Sequence, residues 1–375
     1  MTDIVRGSVA PGFEAVRSAF EDLFSSGAET GASVAAHVGG ALVVDLWGGW
    51  ADAARTRPWE PGTLSTVFSA GKPVAAMAVL RRIADGRIDL GAPIATYWKA
   101  FPHPSATVRH ALSHQAGLPA ARSAATAAAP LPPAGGDPHP SSAAFPLPDI
   151  SEILDSSRFA AAIAATPLEW EPGTAFGEHA LTYGTILGEI LLGATGETVG
   201  EVVRTFGFDV HFGLSTADGA RCAEVEHATP DWPERQLSGH GELWSRALGP
   251  VELLATDVVN GERWRTGELP AVNCHATARG LAAFYEALPR LLPAPLLTEA
   301  LAPQAVGVDR LLEEDATWTL GWRRDGSWFG MGGIGGSSAG HDESLGYSLA
   351  YVTRRLGDHG RGDTMYDTLE AILRG

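Results

Sequence analysis

Apolar positions recur at helical spacing in some stretches of the chain and cluster into β-rich runs in others. In residues 11–25, Phe13, Val16, Phe20, Leu23 and Phe24 follow a helical period. Residues 33–38 and 41–47 are β-rich runs on either side of Gly39-Gly40, which predicts a hairpin. Residues 63–68 form a short strand or an extended lead into an Ala-rich apolar run. That run predicts a buried helix stopping near Asp85-Gly86. Residues 107–119 predict a short helix closed by Gly117, and residues 151–165 a helix capped by Ser151. Helices are further predicted over 181–194, 199–206 and 277–288. Towards the end the pattern changes. Residues 317–324, 328–331 and 347–353 predict strands separated by Gly-rich turns, and 364–374 a closing helix. Residues 229–270 are polar with interspersed Pro and Trp and yield no ordered pattern.

Helix plus strands at each end, with helices between, predict an α+β fold. One sheet domain would be built from 1–68 and 305–375, with a mainly helical region, 69–304, inserted. Residues 120–148 are rich in Ala, Pro, Ser and Gly, with Pro130, Pro132, Pro133, Pro138 and Pro140 among them. Such a composition predicts a flexible loop over a cleft. No internal repeat is visible.

At 375 residues the chain can bury a large core, and its 45% hydrophobic content fits a globular protein. A formal charge of −17 argues against nucleic acid and anionic membranes as partners. The Ala-, Gly- and Arg-heavy usage reads as coding bias of a GC-rich genome. Residues 1–12 contain no apolar core of signal-peptide length, and no run of about 18 apolar residues occurs. Cys222 and Cys274 are the only cysteines. A bridge between them is open, but free thiols in a reducing cytoplasm are the simpler reading, so a cytoplasmic location is expected. No Cys/His spacing suggests a metal, and no cofactor is implied.

The chemistry centres on Ser69 and Lys72, a Ser-x-x-Lys pair at the head of the apolar helix. At i and i+3 they share a helix face. A hydroxyl at a positive helix end, with an amine beside it, suits an acyl-transfer nucleophile and its base. The bare pattern is common, so its weight comes from the rest of the chain.

Six stretches supply that weight. They are Phe68 to Lys72, the run from Thr107 to Pro119, Pro172-Gly173-Thr174, the run from His179 to Gly184, the run from Asn273 to Arg279, and Phe329 to Ser337. In this order they resemble the serine beta-lactamase-like hydrolases, in the esterase branch related to class C beta-lactamases and D-Ala-D-Ala peptidases. The resemblance spans about residues 30–355. It implies an antiparallel sheet flanked by helices, a nucleophile at Ser69 and a catalytic lysine at Lys72. The backbone amides of Ser69 and Ile334 would form the oxyanion hole. The family's second motif, often Tyr-His-Ala, reads Glu178-His179-Ala180 here, so Glu178 stands where a proton-moving Tyr is usual. The third motif, Lys-Thr-Gly or His-x-Gly, maps onto Met331-Gly332-Gly333, and only Gly333 matches. His179, Met331 and Gly333 are expected to contact substrate.

The departures leave the base open. An inward Glu178 would be the base, with Lys72 cationic. With Glu178 outward, Lys72 would act alone or through water. Tyr183, His110, His114 and His275 read as structural. Trp244, Trp264, His341 and Asp342 are lesser candidates for the cleft rim.

The expected function is acyl-Ser69 chemistry on a small ester or amide. Water as acceptor gives an esterase or amidase. An amine gives a transacylase of the kind the family uses, without ATP, in natural-product pathways. A non-catalytic small-molecule binder on the same scaffold is the alternative, and the two motif departures discourage a beta-lactamase. The partners expected are a small-molecule acyl donor and an amine acceptor.

Overall fold

A computed structural model of the chain describes residues 4–124, 146–238 and 241–375. The proposed 120–148 loop lies mostly outside them. A nine-stranded antiparallel sheet organises the fold. Its strands are β1 (Val5–Val9), β2 (Gly31–Val38), β3 (Ala41–Gly49), β4 (Ala305–Val308), β5 (Asp315–Trp318), β6 (Arg323–Asp325), β7 (Trp328–Gly332), β8 (Ser338–Asp342) and β9 (Tyr347–Thr353). They lie in the order β1-β3-β2-β9-β8-β7-β6-β5-β4. The N-terminal hairpin joins the C-terminal strands where β2 pairs with β9, Ala35 opposite Ala350.

Side-chain alternation gives each face its own partner. Val34 and Ala36 of β2, with Leu349 and Tyr351 of β9, face α1 (Glu14–Ser25) and the closing helix Gly360–Arg374, which contribute Phe20 and Leu369. Ala35, Ala350 and Val352 face the larger core. That core contains α2 (Lys72–Ala84), in which every residue from Lys72 to Leu80 is buried, packed against α3 (Thr182–Thr195). The architecture is α+β, an antiparallel sheet with helices packed on both faces, as expected.

The hairpin at Gly39-Gly40 forms as expected, and α2 ends beside Gly86, whose φ of 70° suits glycine. Other elements differ from the sequence pattern for local reasons. The expected helix over 151–165 is two helices, Ile150–Ile153 and Ser156–Ala164. Asp149 and Asp155 cap them, each accepting from the amide three residues on, and Ser151 lies inside the first turn. Residues 317–324 do not run as one strand. Gly321, at φ 117°, lies in the turn between β5 and β6. Strands β1, β4 and β8 had no clear signal because Gly and polar residues interrupt them. Within 229–270 the chain forms short helical segments, among them Trp232–Leu237, Glu242–Leu248 and Glu262–Thr266. Cys222 and Cys274 are both buried and free. Among the described residues, no helix is long and apolar enough to cross a membrane.

Candidate active site

Ser69 does not open the α-helix. It sits in a 3₁₀ turn, Phe68–Gly71, and α2 begins at Lys72 with Pro73 in its first turn. Phe68 has φ 49°, a left-handed conformation that costs a bulky residue roughly 1–2 kcal/mol. Its surroundings hold it there. The ring packs against Trp264 at 5.9 Å between centroids, and the preceding Val67 amide donates to the Cys274 carbonyl at 2.8 Å. The strained turn presents Ser69 to the cleft with Lys72 one turn behind it.

Lys72 is 1% exposed, and its Nζ lies 2.6 Å from Ser69 Oγ and 3.1 Å from Glu178 Oε1. Burial lowers the Lys72 pKa, and the neighbouring Glu178 carboxylate opposes the shift without cancelling it. Glu178 therefore points inward, as one of the two expected geometries required. Among the described residues it makes no hydrogen bond to Ser69, so it meets the serine through Lys72.

The backbone around Glu178 is fixed on both sides. Its amide donates to Asp309, at 3.0 Å to Oδ2 and 3.2 Å to Oδ1. The next amide, that of His179, donates to His114 Nδ1 at 3.1 Å. His179 itself is placed differently from the expectation of a substrate contact. It is fully buried, its Nε2 accepts from the Leu118 amide at 3.1 Å, and its Nδ1 lies 2.8 Å from the Gly177 carbonyl. Those partners set its tautomer as Nδ1–H. Burial pushes its pKa down to about 4, with the Gly177 bond opposing and Lys72 adding, so it stays neutral. Tyr183 is equally internal. It stacks on His114 at 4.4 Å and donates to the Leu112 carbonyl at 3.2 Å.

Opposite Ser69 runs the end of β7. Gly333 lies so close to the Ser69 turn that a Cβ there would overlap the Val67 carbonyl oxygen. Only glycine lets this chain segment approach. Its role is backbone spacing, with no side chain to offer a substrate. Neither the Ser69 nor the Ile334 amide donates to a protein acceptor among the described residues. Met331 lines the cleft and packs with Phe176 and Trp318.

Ser69 and Glu178 open into a cleft of about 910 Å³. Leu181 and Val272 give it apolar lining, with Trp244, Leu248, Leu254 and Trp264 from the stretch whose order the sequence left unread. His341 and Asp342 are not at this cleft. His341 Nδ1 pairs with Ser348 Oγ at 2.9 Å, and Asp342 accepts from the amides of Ser344 and Leu345. Residues that the sequence did not flag are Trp318 and Leu312 in the cleft wall and Asp309 behind it. A lone Asp after a Val-Gly-Val run carries no signal until the fold brings donors to it. No group of three His, Cys, Asp or Glu residues among the described ones could hold a metal ion.

The Beta-lactamase family model matches residues 16–372. Esterase/beta-lactamase LipL of Mycobacterium tuberculosis (strain ATCC 25618 / H37Rv) is 30% identical over 390 residues, covering 94% of this chain and 83% of the relative. The crystal structure of a family VIII carboxylesterase superposes with a TM-score of 0.81 at 27% identity, over 98% of this chain and 99% of that one. A penicillin-binding protein homolog from Caulobacter crescentus superposes with a TM-score of 0.80 at 29% identity, over the same shares.

Proposed function

The chain belongs to the Beta-lactamase family, and from that premise we propose that it is a serine esterase working through an acyl-Ser69 intermediate. The observation that carries this reading is the contact of Ser69 Oγ, which lines the cleft, with a buried Lys72 Nζ at 2.6 Å. Ser69 Oγ attacks the ester carbonyl while its proton passes to Lys72, whose burial favours the neutral amine needed to receive it. Glu178, 3.1 Å away, balances the ammonium that forms. The sequence makes an inward Glu178 the base; because it contacts Lys72 and makes no hydrogen bond to Ser69 among the described residues, this reading gives the proton to Lys72 instead. The developing oxyanion is held by the amides of Ser69 and Ile334. As the tetrahedral intermediate collapses, the bond to the leaving alcohol breaks and Lys72 returns the proton to it. Water then attacks the acyl-serine by the same steps in reverse, releasing the acid.

The apolar lining favours esters with an uncharged, hydrophobic group. The sister name of the 30% identical relative includes beta-lactamase, but Met331 supplies no cation where that chemistry's third motif has one. Acyl transfer to an amine is the second reading. It is favoured by Asp325, Asp358 and Asp363, which line the cleft on the side of β6 and the closing helix, against Arg235 and Arg323. A cationic amine would be drawn there. A small-molecule biosynthetic role would follow from that reading.

Incubation with an aryl ester and a panel of amines tests both. An acyl adduct on Ser69 by mass spectrometry, with release of free acid, is the expected result. Amide product rising with amine concentration would select the transfer reading. A folded protein that forms no adduct with either an activated ester or a fluorophosphonate would leave a binding protein instead.

A further inference from the structure

Asp309 lies just after β4, is fully buried, and faces four N–H donors. Its Oδ1 accepts from the amides of Leu311 at 2.8 Å and Leu312 at 2.9 Å. Its Oδ2 accepts from the Trp318 indole at 2.8 Å, and both oxygens accept from the Glu178 amide. No Lys or Arg salt bridge reaches this carboxylate among the described residues. Backbone and indole dipoles alone hold it. Two of the tethered segments end in the cleft, since Leu312 and Trp318 line its wall, and the third is Glu178.

We infer that Asp309 is a positioning residue for Glu178, fixing the partner of Lys72 and the adjoining cleft wall as one unit. The inference rests on the esterase reading, because Glu178 has a task only if Lys72 moves a proton. The physical reason is geometric. Glu178 reaches Lys72 from a chain segment with no regular secondary structure, which by itself would not hold a carboxylate at a fixed distance. Anchoring the Glu178 amide from one side and the His179 amide from the other leaves mainly side-chain torsions free. An amide at position 309 would turn its NH₂ towards either the Leu311 and Leu312 amides or the Trp318 indole, so donors would oppose donors.

The test is a double-mutant cycle of Asp309→Asn and Glu178→Gln, with Asp309→Ala as a second probe, assayed on an aryl ester. Displacing a catalytic group by about 1 Å can cost 10²-fold in rate, so kcat of Asp309→Asn is expected to fall about 10²-fold. In the Glu178→Gln background the same substitution is expected to cost little more, because the misplaced group no longer carries the carboxylate. The pH dependence of kcat/KM in Asp309→Asn is expected to move towards that of Glu178→Gln. Equal fold losses in both backgrounds, or an unchanged pH profile with only a lowered Tm, would overturn the inference and leave Asp309 a stability residue. Wild-type protein that forms no acyl-Ser69 would overturn the esterase reading itself, and the inference with it. If Asp309→Asn does not fold, Asp309→Ala with the same cycle decides the matter by the same criteria.

Discussion

Glu178 reaches Ser69 by way of Lys72, with 3.1 Å between Glu178 Oε1 and Lys72 Nζ and 2.6 Å from there to the serine oxygen. The carboxylate therefore acts on the amine directly. Burial lowers the Lys72 pKa and Glu178 raises it, so removing the carboxylate lets it fall further. Lys72 must be neutral to accept a proton. In Glu178→Gln the acid limb of the kcat/KM profile should then move to lower pH. The plateau should fall as well, by about 10²-fold, because the ammonium formed in the attack loses its counter-charge. A limb that stays put or moves to higher pH would place the titrating group elsewhere.

In the proposed mechanism Lys72 is the direct proton acceptor. Lys72→Met keeps the packing volume of a side chain that is 1% exposed and removes the amine. Acylation of Ser69 by an ester should slow by about 10²–10⁴-fold, measured as burst rate or adduct formation. Ser69→Ala should abolish the adduct altogether. Labelling that persists at another serine would redirect the assignment.

Gly333 offers a backbone test of the oxyanion hole. A methyl group there would overlap the Val67 carbonyl and push β7 away from the Ser69 turn. Gly333→Ala should lower kcat by about 10²–10³-fold, the usual cost of losing one oxyanion donor. Wild-type kcat in this variant would show that the Ile334 amide takes no part.

Away from the site, the sheet carries a buried ionic hub whose loss should be felt in stability. The Glu29 carboxylate receives Arg361 Nη1 at 2.8 Å, Tyr351 Oη at 2.6 Å and Thr353 Oγ1 at 2.7 Å, with its side chain fully buried. Glu29→Ala leaves the Arg361 charge buried without its partner, at a cost of about 3–5 kcal/mol. Urea unfolding should register this as a lowered midpoint. A midpoint unchanged from wild type would mean that water replaces the carboxylate.

The hairpin at Gly39-Gly40, the buried helix after Ser69 and its stop at Gly86 were legible because each depends on neighbours in sequence, through spacing, turn chemistry or backbone freedom. The Ser69–Lys72 pair was legible for the same reason, since three residues of helical chain bring the two side chains together. The edge strand β4 and the interrupted strand β8 were not, because pairing across the sheet supplies what their composition lacks. The direction of Glu178 was beyond the sequence as well. Position 178 could have faced solvent, and it turns inward because Asp309, more than a hundred residues later, holds its amide. His179 shows the converse, a polar side chain consumed by two backbone partners, the nearby Gly177 carbonyl and the distant Leu118 amide. Local chain geometry thus determined the pairing of Ser69 with its amine. Only contacts between segments distant in sequence, invisible until the chain closes on itself, decided what stands behind that amine and what shape of cleft lies in front of it.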